Sequence, residues 1–136
     1  MRDHWTSQVG RGLQVSSMGI HGIDQEPPTD LAIRVSSENG IDIASQRSRP
    51  LIPDELKQAD LIFAMEKFQK EFVLLFFPNL NDRVFLLGSY PEQADSKKSG
   101  VKDPVGGTAK DYRKAFAALS DHIDRIIPLL RAEYGY

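Results

Sequence analysis

The stretch "ADLIFAMEKFQKEFVLLFFP", residues 59–78, decides the fold because it joins a buried strand to a helix. Its first part, "ADLIFAM", is almost continuously apolar, which is typical of a strand covered on both faces. Large apolar side chains then recur at helical spacing, and Pro78 is predicted to end the helix because proline lacks the backbone N–H that a helix interior uses. The apolar positions at that spacing are Phe68, Phe72, Leu75 and Phe76.

Two further strands and three further helices are predicted. "LQVSS", residues 13–17, alternates apolar and polar residues and indicates a short strand, and "RVFLL", residues 83–87, indicates another buried one. A helix capped by Thr29 runs to about Glu38, and "IPDEL" forms a single turn. The last helix begins at Thr108, close to a capping box. Its predicted buried stripe is Tyr112, Phe116, Leu119, Ile123, Ile126 and Leu130.

Strands alternate with helices along the chain, which predicts an α/β fold with a parallel sheet. Folds of this class place ligands at the carboxyl ends of their strands. The loop 88–107 follows a strand and contains Asp103 in "KDPVGG". The same residues are typical of a simple turn, so two interpretations stay open: a turn, or a general acid on the ligand face.

Composition narrows the class of function. The 136 residues fit one domain, with 26% charged and 40% hydrophobic residues. A net charge of −2 gives no reason to expect nucleic acid or a membrane surface as partner. No secretion signal is apparent, so a cytoplasmic location is predicted. Without cysteine, and with three scattered histidines, the sequence predicts no metal site and no cofactor.

Six motifs in order, from about Leu13 to Leu130, resemble those of the low-molecular-weight protein tyrosine phosphatases. They are "VSSMG" for V-x-S-A-G, "EPPTDLAI", "GIDIASQRSRPL" for G-I-x-L-x-x-H-x-A-R-x-L, "ADLIFAM", "RVFLLGSY", and "KDPVGG" for D-P-[FYW]-x-G. That family shares its fold with thioredoxin-coupled arsenate reductases and protein-arginine phosphatases. The resemblance implies hydrolysis of phosphate monoesters on phosphoproteins, and a three-layer fold with a parallel sheet flanked by helices.

The family's signature V-C-x-G-N-x-C-R-S-P-x-A-E does not occur in the sequence. In the family this loop holds the phosphate on backbone N–H groups and supplies the attacking thiolate. By this resemblance, Met1 matches a position at which the family's first helix has already begun. The resemblance therefore implies one N-terminally truncated domain over residues 1–136, lacking the first strand, and an inactive chain as given.

The resemblance also assigns individual positions. Asp103 matches the general acid, and Ser17 matches a serine that supports the phosphate loop. His21 lies in a loop that forms one wall of the family's cleft. Val105 stands where phosphotyrosine-specific members carry an aromatic residue, while the glycines of "DPVGG" are typical of arginine phosphatases. The choice between phosphotyrosine and phosphoarginine therefore stays open.

Three hypotheses follow. The chain is an incomplete copy of a phosphatase, a cysteine-free pseudophosphatase that binds a partner, or a structural or oligomerising module. A phosphoprotein or phosphate-type ligand is the expected partner of a complete site. Without the family's first strand, the strands "LQVSS" and "ADLIFAM" would have unpaired edges, which predicts a homo-oligomer.

Overall fold

The computed structural model describes residues 13–20, 23–94 and 100–135. The chain divides into a helical unit, Met1–Leu51 with Pro104–Tyr136, and a sheet unit, Ile52–Asp103. In chain order the described elements are α1 (Asp30–Glu38), α2 (Pro53–Gln58), β1 (Ile62–Ala64), α3 (Lys67–Phe76), a 3-10 turn (Pro78–Leu80), β2 (Val84–Leu86) and α4 (Ala109–Tyr134). The prediction of a single domain over residues 1–136 stays a prediction.

The sheet unit is built on two parallel strands. β1 pairs with β2 in a register that sets Ile62 beside Val84 and Ala64 beside Leu86. Parallel strands need a crossover, and α3 supplies it. The α/β class with a parallel sheet is therefore confirmed. Both strands are three residues long, shorter than the apolar runs from which they were predicted.

The core of the sheet unit lies around β2. Val84 and Leu86 are almost completely buried. Behind them, the Tyr90 ring makes edge-to-face contacts with Phe63 at 5.3 Å and with Phe85 at 4.9 Å between centroids. Such geometry is the favoured one for aromatic pairs. Through Tyr90, the loop after β2 therefore packs against both strands.

The helical unit joins α1 to α4 through side chains at both ends of α1. The hydroxyl of Thr29 accepts a hydrogen bond from Ala32 N–H at 3.3 Å, as predicted for the cap, and donates to the Tyr112 hydroxyl at 3.0 Å. At the other end, Arg113 donates to both carboxylate oxygens of Glu38, at 3.0 and 2.9 Å. These contacts connect segments that are distant in the sequence.

The predicted apolar stripe of α4 faces inward. Tyr112, Ile126 and Leu130 are buried, and the other three members are half-buried. The helix extends through Pro128 to Tyr134, and Gly135 ends it with φ of 70°. Glycine adopts this left-handed conformation without steric cost, which explains the stop.

The apolar positions of α3 lie differently. The helix spans Lys67–Phe76, as predicted, but its buried residues are Lys70 and Val73. The four residues at helical spacing all lie on the exposed side, namely Phe68, Phe72, Leu75 and Phe76. The same periodicity therefore identified both helices, but it gave the buried side correctly for α4 and not for α3.

One predicted strand was wrong. Residues 13–18 have no regular structure, and the nearest pairing is a single parallel bridge between Gly19 and Pro50. Val15 is 38% exposed. A strand is held by a ladder to a neighbour, and the described part of the chain offers none to residues 13–17. The family's first helix, which the resemblance implies is already under way at Met1, falls on residues 1–12, and these lie outside the described residues.

Candidate active site

Asp103 lies beside the carboxyl end of β1. The amide of Val101 donates to the carbonyl of Met65 at 2.7 Å, and the amide of Asp103 donates to Glu66 Oε1 at 3.0 Å. Met65 and Glu66 directly follow β1. The loop before Asp103 is thereby fastened to the strand end where an α/β fold binds its ligands.

Glu66 is also the N-cap of α3. Its backbone carbonyl accepts from the N–H of Gln69 at 3.1 Å, while Gln69 Oε1 accepts from the amides of Glu66 at 3.0 Å and Met65 at 3.1 Å. The two residues are thereby bonded to each other in both directions at the start of α3. The backbone of Glu66, whose carboxylate accepts from the amide of Asp103, is therefore held in place.

A tight turn follows in the helical unit. The carbonyl of Pro104 accepts from Gly107 N–H at 2.8 Å, and Gly106 has φ of 84°. A positive φ at this third turn position favours glycine. Val105 occupies the tip and is 67% exposed. Its predicted role as a cleft wall stays a prediction.

The start of α4 restricts the second glycine. Asp111 Oδ2 accepts from the Thr108 amide at 2.9 Å, and Thr108 caps the helix in return, so the capping box is complete. A Cβ on Gly107 would lie 2.5 Å from that carboxylate oxygen and 2.9 Å from the carbonyl oxygen of Pro104. Glycine is required there because both neighbours are already engaged.

The remaining predicted site residues are reported by unit. Ser17 is exposed in the irregular segment of the helical unit, to which Val105 also belongs, whereas Asp103 ends the sheet unit. His21 lies outside the described residues. The roles of all four residues stay predictions. Sequence reasoning missed Glu66, although its spacing from Gln69 fits a capping-box pattern and could have drawn attention to it.

The electrostatics of the helical unit centre on Glu38 and Arg113. The hydrogen bonds from Arg113 lower the pKa of Glu38 below its ordinary value of 4.5, and the pKa of Arg113 is raised in turn. This guanidinium is paired with Glu38 in a bidentate contact, with 2.9 and 3.0 Å between donor and acceptor atoms. Among the described residues, no group of three acidic or histidine side chains is arranged to hold a metal ion.

The comparisons with known proteins agree with this geometry. The sequence model of the family described as low molecular weight phosphotyrosine protein phosphatase matches residues 1–134. This chain belongs to that family. A probable low molecular weight protein-tyrosine-phosphatase, EpsP, from Ralstonia solanacearum is 31% identical over 121 residues, which cover 89% of this chain and 79% of the relative.

Relatives with a different named substrate match equally well. The protein-arginine-phosphatase of Geobacillus stearothermophilus is 30% identical over 122 residues, covering 90% of this chain and 80% of that protein. The solved structure of the YwlE arginine phosphatase from the same organism superposes with a TM-score of 0.84 at 28% identity, covering 93% of this chain and 80% of that one. The fold of this family is thus confirmed for the chain.

Among the described residues, no helix is both long and apolar enough to cross a bilayer.

Proposed function

We propose that Asp103 is the general acid of a phosphatase site that acts on phosphoproteins. The observation that carries the proposal is the hydrogen bond from its amide to Glu66, which anchors the residue at the carboxyl end of β1. In phosphate monoester hydrolysis the leaving oxygen must take up a proton, and a positioned carboxyl group can donate it. The match of "KDPVGG" to the family's acid motif supports the same role.

These 136 residues do not supply the nucleophile of such a site, because none of them is cysteine. A phosphocysteine intermediate needs a thiolate, held in a positive field that lowers its pKa. An acid without a nucleophile has nothing to protonate. We therefore propose that the chain as given does not hydrolyse phosphate monoesters through a covalent intermediate.

The first test is direct. The purified 136-residue chain is incubated with para-nitrophenyl phosphate, beside a matched sample of the Asp103→Asn variant. We expect no turnover above the buffer rate in either sample. Turnover that persists through further purification and is lost in Asp103→Asn would contradict the proposal and would require another nucleophile.

The second test isolates the acid. The chain is extended at its N-terminus with the family's signature segment, which supplies the cysteine and phosphate loop. If the extended chain is active, Asp103→Asn should slow phosphoenzyme formation by ~10²–10⁴-fold with poor leaving groups. Asp82→Asn is the matched control, because the Asp82 side chain is 79% exposed. Equal rates for both variants would mean that "KDPVGG" forms only a turn and that Asp103 is not the general acid.

The substrate class can be read from the same extended enzyme. Named relatives include tyrosine and arginine phosphatases. Val105 offers an aliphatic contact where an aromatic residue would stack on a phenyl ring. We therefore expect Val105→Tyr to raise the rate on a phosphotyrosine peptide relative to a phosphoarginine peptide. If the ratio of the two rates does not change, Val105 does not contact the substrate.

A second candidate function is a partner-binding or oligomerising module. Ile62 N–H and the carbonyl of Ala64 bond toward β2, so the alternating backbone directs the N–H and C=O of Phe63 to the other edge. Within the described residues the sheet has two strands, and none lies along that edge of β1. Exposed strand edges recruit further strands.

The cytoplasmic location predicted from the sequence stays a prediction.

Light scattering at low micromolar concentration tests this candidate. An oligomer that persists when the exposed α3 side chain Leu75 is replaced by Glu would favour the module. A monodisperse monomer with a cooperative thermal transition would contradict association through the edge of β1.

A further inference from the structure

The exposed side of α3 carries a continuous apolar surface, the α3 stripe, formed by Phe68, Phe72, Leu75 and Phe76. Their exposed fractions are 49%, 36%, 74% and 60%. Residues three or four apart are neighbours on a helix surface, so Phe68, Phe72 and Phe76 form one row and Leu75 lies beside it. The rings of Phe72 and Phe76 lie 5.0 Å apart in a tilted arrangement.

The size of the α3 stripe equals that of the largest apolar patch on an ordinary monomer. Taking the burial of a whole large apolar side chain as about 200 Å², the exposed fractions correspond to roughly 400 Å² of apolar surface. The largest patch on an ordinary monomer is about 300–600 Å² and is often functional. Four large apolar side chains on one exposed helix face are therefore a candidate interaction surface.

We propose that the occupant is a second copy of this chain, bound to the α3 stripe in an antiparallel, two-fold symmetric dimer. A two-fold interface requires one patch that is complementary to itself. Phe68 and Phe76 are each four residues from Phe72, so reversing the helix direction sets Phe72 opposite Phe72 and Phe68 opposite Phe76. The row of three phenylalanines is symmetric about Phe72, and Leu75 lies beside that row.

The charges beside the α3 stripe allow the same surface to meet itself. Lys67 and Glu71 form an ion pair along one flank, with 3.8 Å between Nζ and Oε1. One charge of each sign leaves that flank neutral, so two copies do not repel one another there. A surface selected for a strongly acidic or basic peptide would carry a net charge of the opposite sign.

The buried area sets the strength of the dimer. Two stripes contribute roughly 800 Å² together, which is below the about 1,200 Å² of stable specific interfaces and in the range of weak, transient ones. We therefore expect a reversible dimer whose formation depends on protein concentration in the micromolar range. This association uses α3 and not the edge of β1.

Sedimentation equilibrium on the full chain tests the proposal. The weight-average mass should rise from 15.3 kDa toward twice that value as concentration increases. Leu75→Glu and Phe72→Glu should abolish the rise, whereas Leu129→Glu, at an α4 position that is 37% exposed, should not. Circular dichroism checks that every variant remains folded. Association that survives both α3 variants, or a monomer at all concentrations, would overturn the proposal.

Crosslinking decides the orientation, because the cysteine-free sequence makes any introduced thiol the sole one. With a short bismaleimide, Phe72→Cys should yield a covalent dimer and Leu129→Cys should not. A mixture of Phe68→Cys and Phe76→Cys should crosslink at least several-fold more than either variant alone. Equal yields from the mixture and from the separate variants would overturn the antiparallel arrangement. No outcome depends on phosphatase activity, so the proposed function is tested separately.

Discussion

Helices α3 and α4 begin with the same kind of cap but differ in whether their apolar stripe is buried. Each starts with a capping box, Glu66 with Gln69 in α3 and Thr108 with Asp111 in α4. The stripe of α4 is turned toward the core, whereas the stripe of α3 is turned toward solvent. Capping and periodicity thus define where a helix lies in the sequence, but the neighbouring elements decide which side it buries.

The side that α3 buries illustrates the difference. Val73 is 6% exposed, and beside it the Lys70 side chain is buried, with its ammonium group donating to the carbonyl of Gln93 at 3.1 Å. A long side chain can bury its methylene groups while its charged end finds a polar partner. A lysine on the inner side and phenylalanines on the outer side reverse the usual pattern of an amphipathic helix.

The largest expected difference between the two helices is in the free energy of unfolding that is lost when one apolar residue on each is truncated. Ile126→Ala in α4 should lower the free energy of unfolding by about 2–5 kcal/mol, because Ile126 is 3% exposed and leaves a cavity. Leu75→Ala in α3 should change it by no more than about 0.5 kcal/mol. Urea denaturation, at a concentration where the chain is monomeric, measures both. Equal losses would mean that the two stripes are equally buried in solution.

A smaller effect is expected where α4 begins. Gly107→Ala would force its Cβ against Asp111 Oδ2 and the carbonyl of Pro104, so either the turn or the cap must shift. Overpacking of this kind costs about 1–3 kcal/mol. Gly100→Ala is the matched control, because its nearest neighbour, the Met65 carbonyl oxygen, would lie 3.8 Å away. Thermal unfolding distinguishes them, and a Gly107→Ala variant as stable as Gly100→Ala would show that the start of α4 is not restricted.

Much of the fold could be predicted because its signals are local. The Thr29 cap, the helix start at Pro53 and the capping box at Thr108 each depend on residues within one helical turn, and the structure contains all three. The helix at Pro53 is longer than the predicted single turn, because it runs to Gln58. The segment 13–17 could not be predicted in this way. Its alternating pattern is compatible with a strand, but a strand exists only beside a partner, and the sequence does not reveal whether the partner is present.

The candidate site shows the same limit. Asp103 could be found because its motif is contiguous. Glu66 was missed because it acts on Asp103 across 37 residues of sequence, and only the folded chain brings the carboxylate to that amide. The exposure of the α3 stripe is also a tertiary property, since Phe72 and Val73 are equally apolar neighbours.

The smallest expected effect concerns the ion pairs of the two helices. Arg113 of α4 binds Glu38 in a bidentate contact, whereas Lys67 and Glu71 of α3 share one 3.8 Å contact. Because the pKa of Glu38 is lowered in the folded state, the stabilisation is present above the unfolded-state pKa and is lost as pH falls through the lowered value. The difference in Tm between the native chain and Glu38→Gln should therefore shrink as pH falls from about 6 to about 3.

Matched variants complete this last test. Glu71→Gln should shift Tm less than Glu38→Gln at neutral pH, because geometry favours the bidentate pair over a single exposed contact. Combining Glu38→Gln with Arg113→Gln should cost no more than either change alone, since both remove one interaction. Added salt should reduce the contribution of both pairs. If the Tm difference for Glu38→Gln stays constant across this pH range, the contact between α1 and α4 is not held by an ionised Glu38.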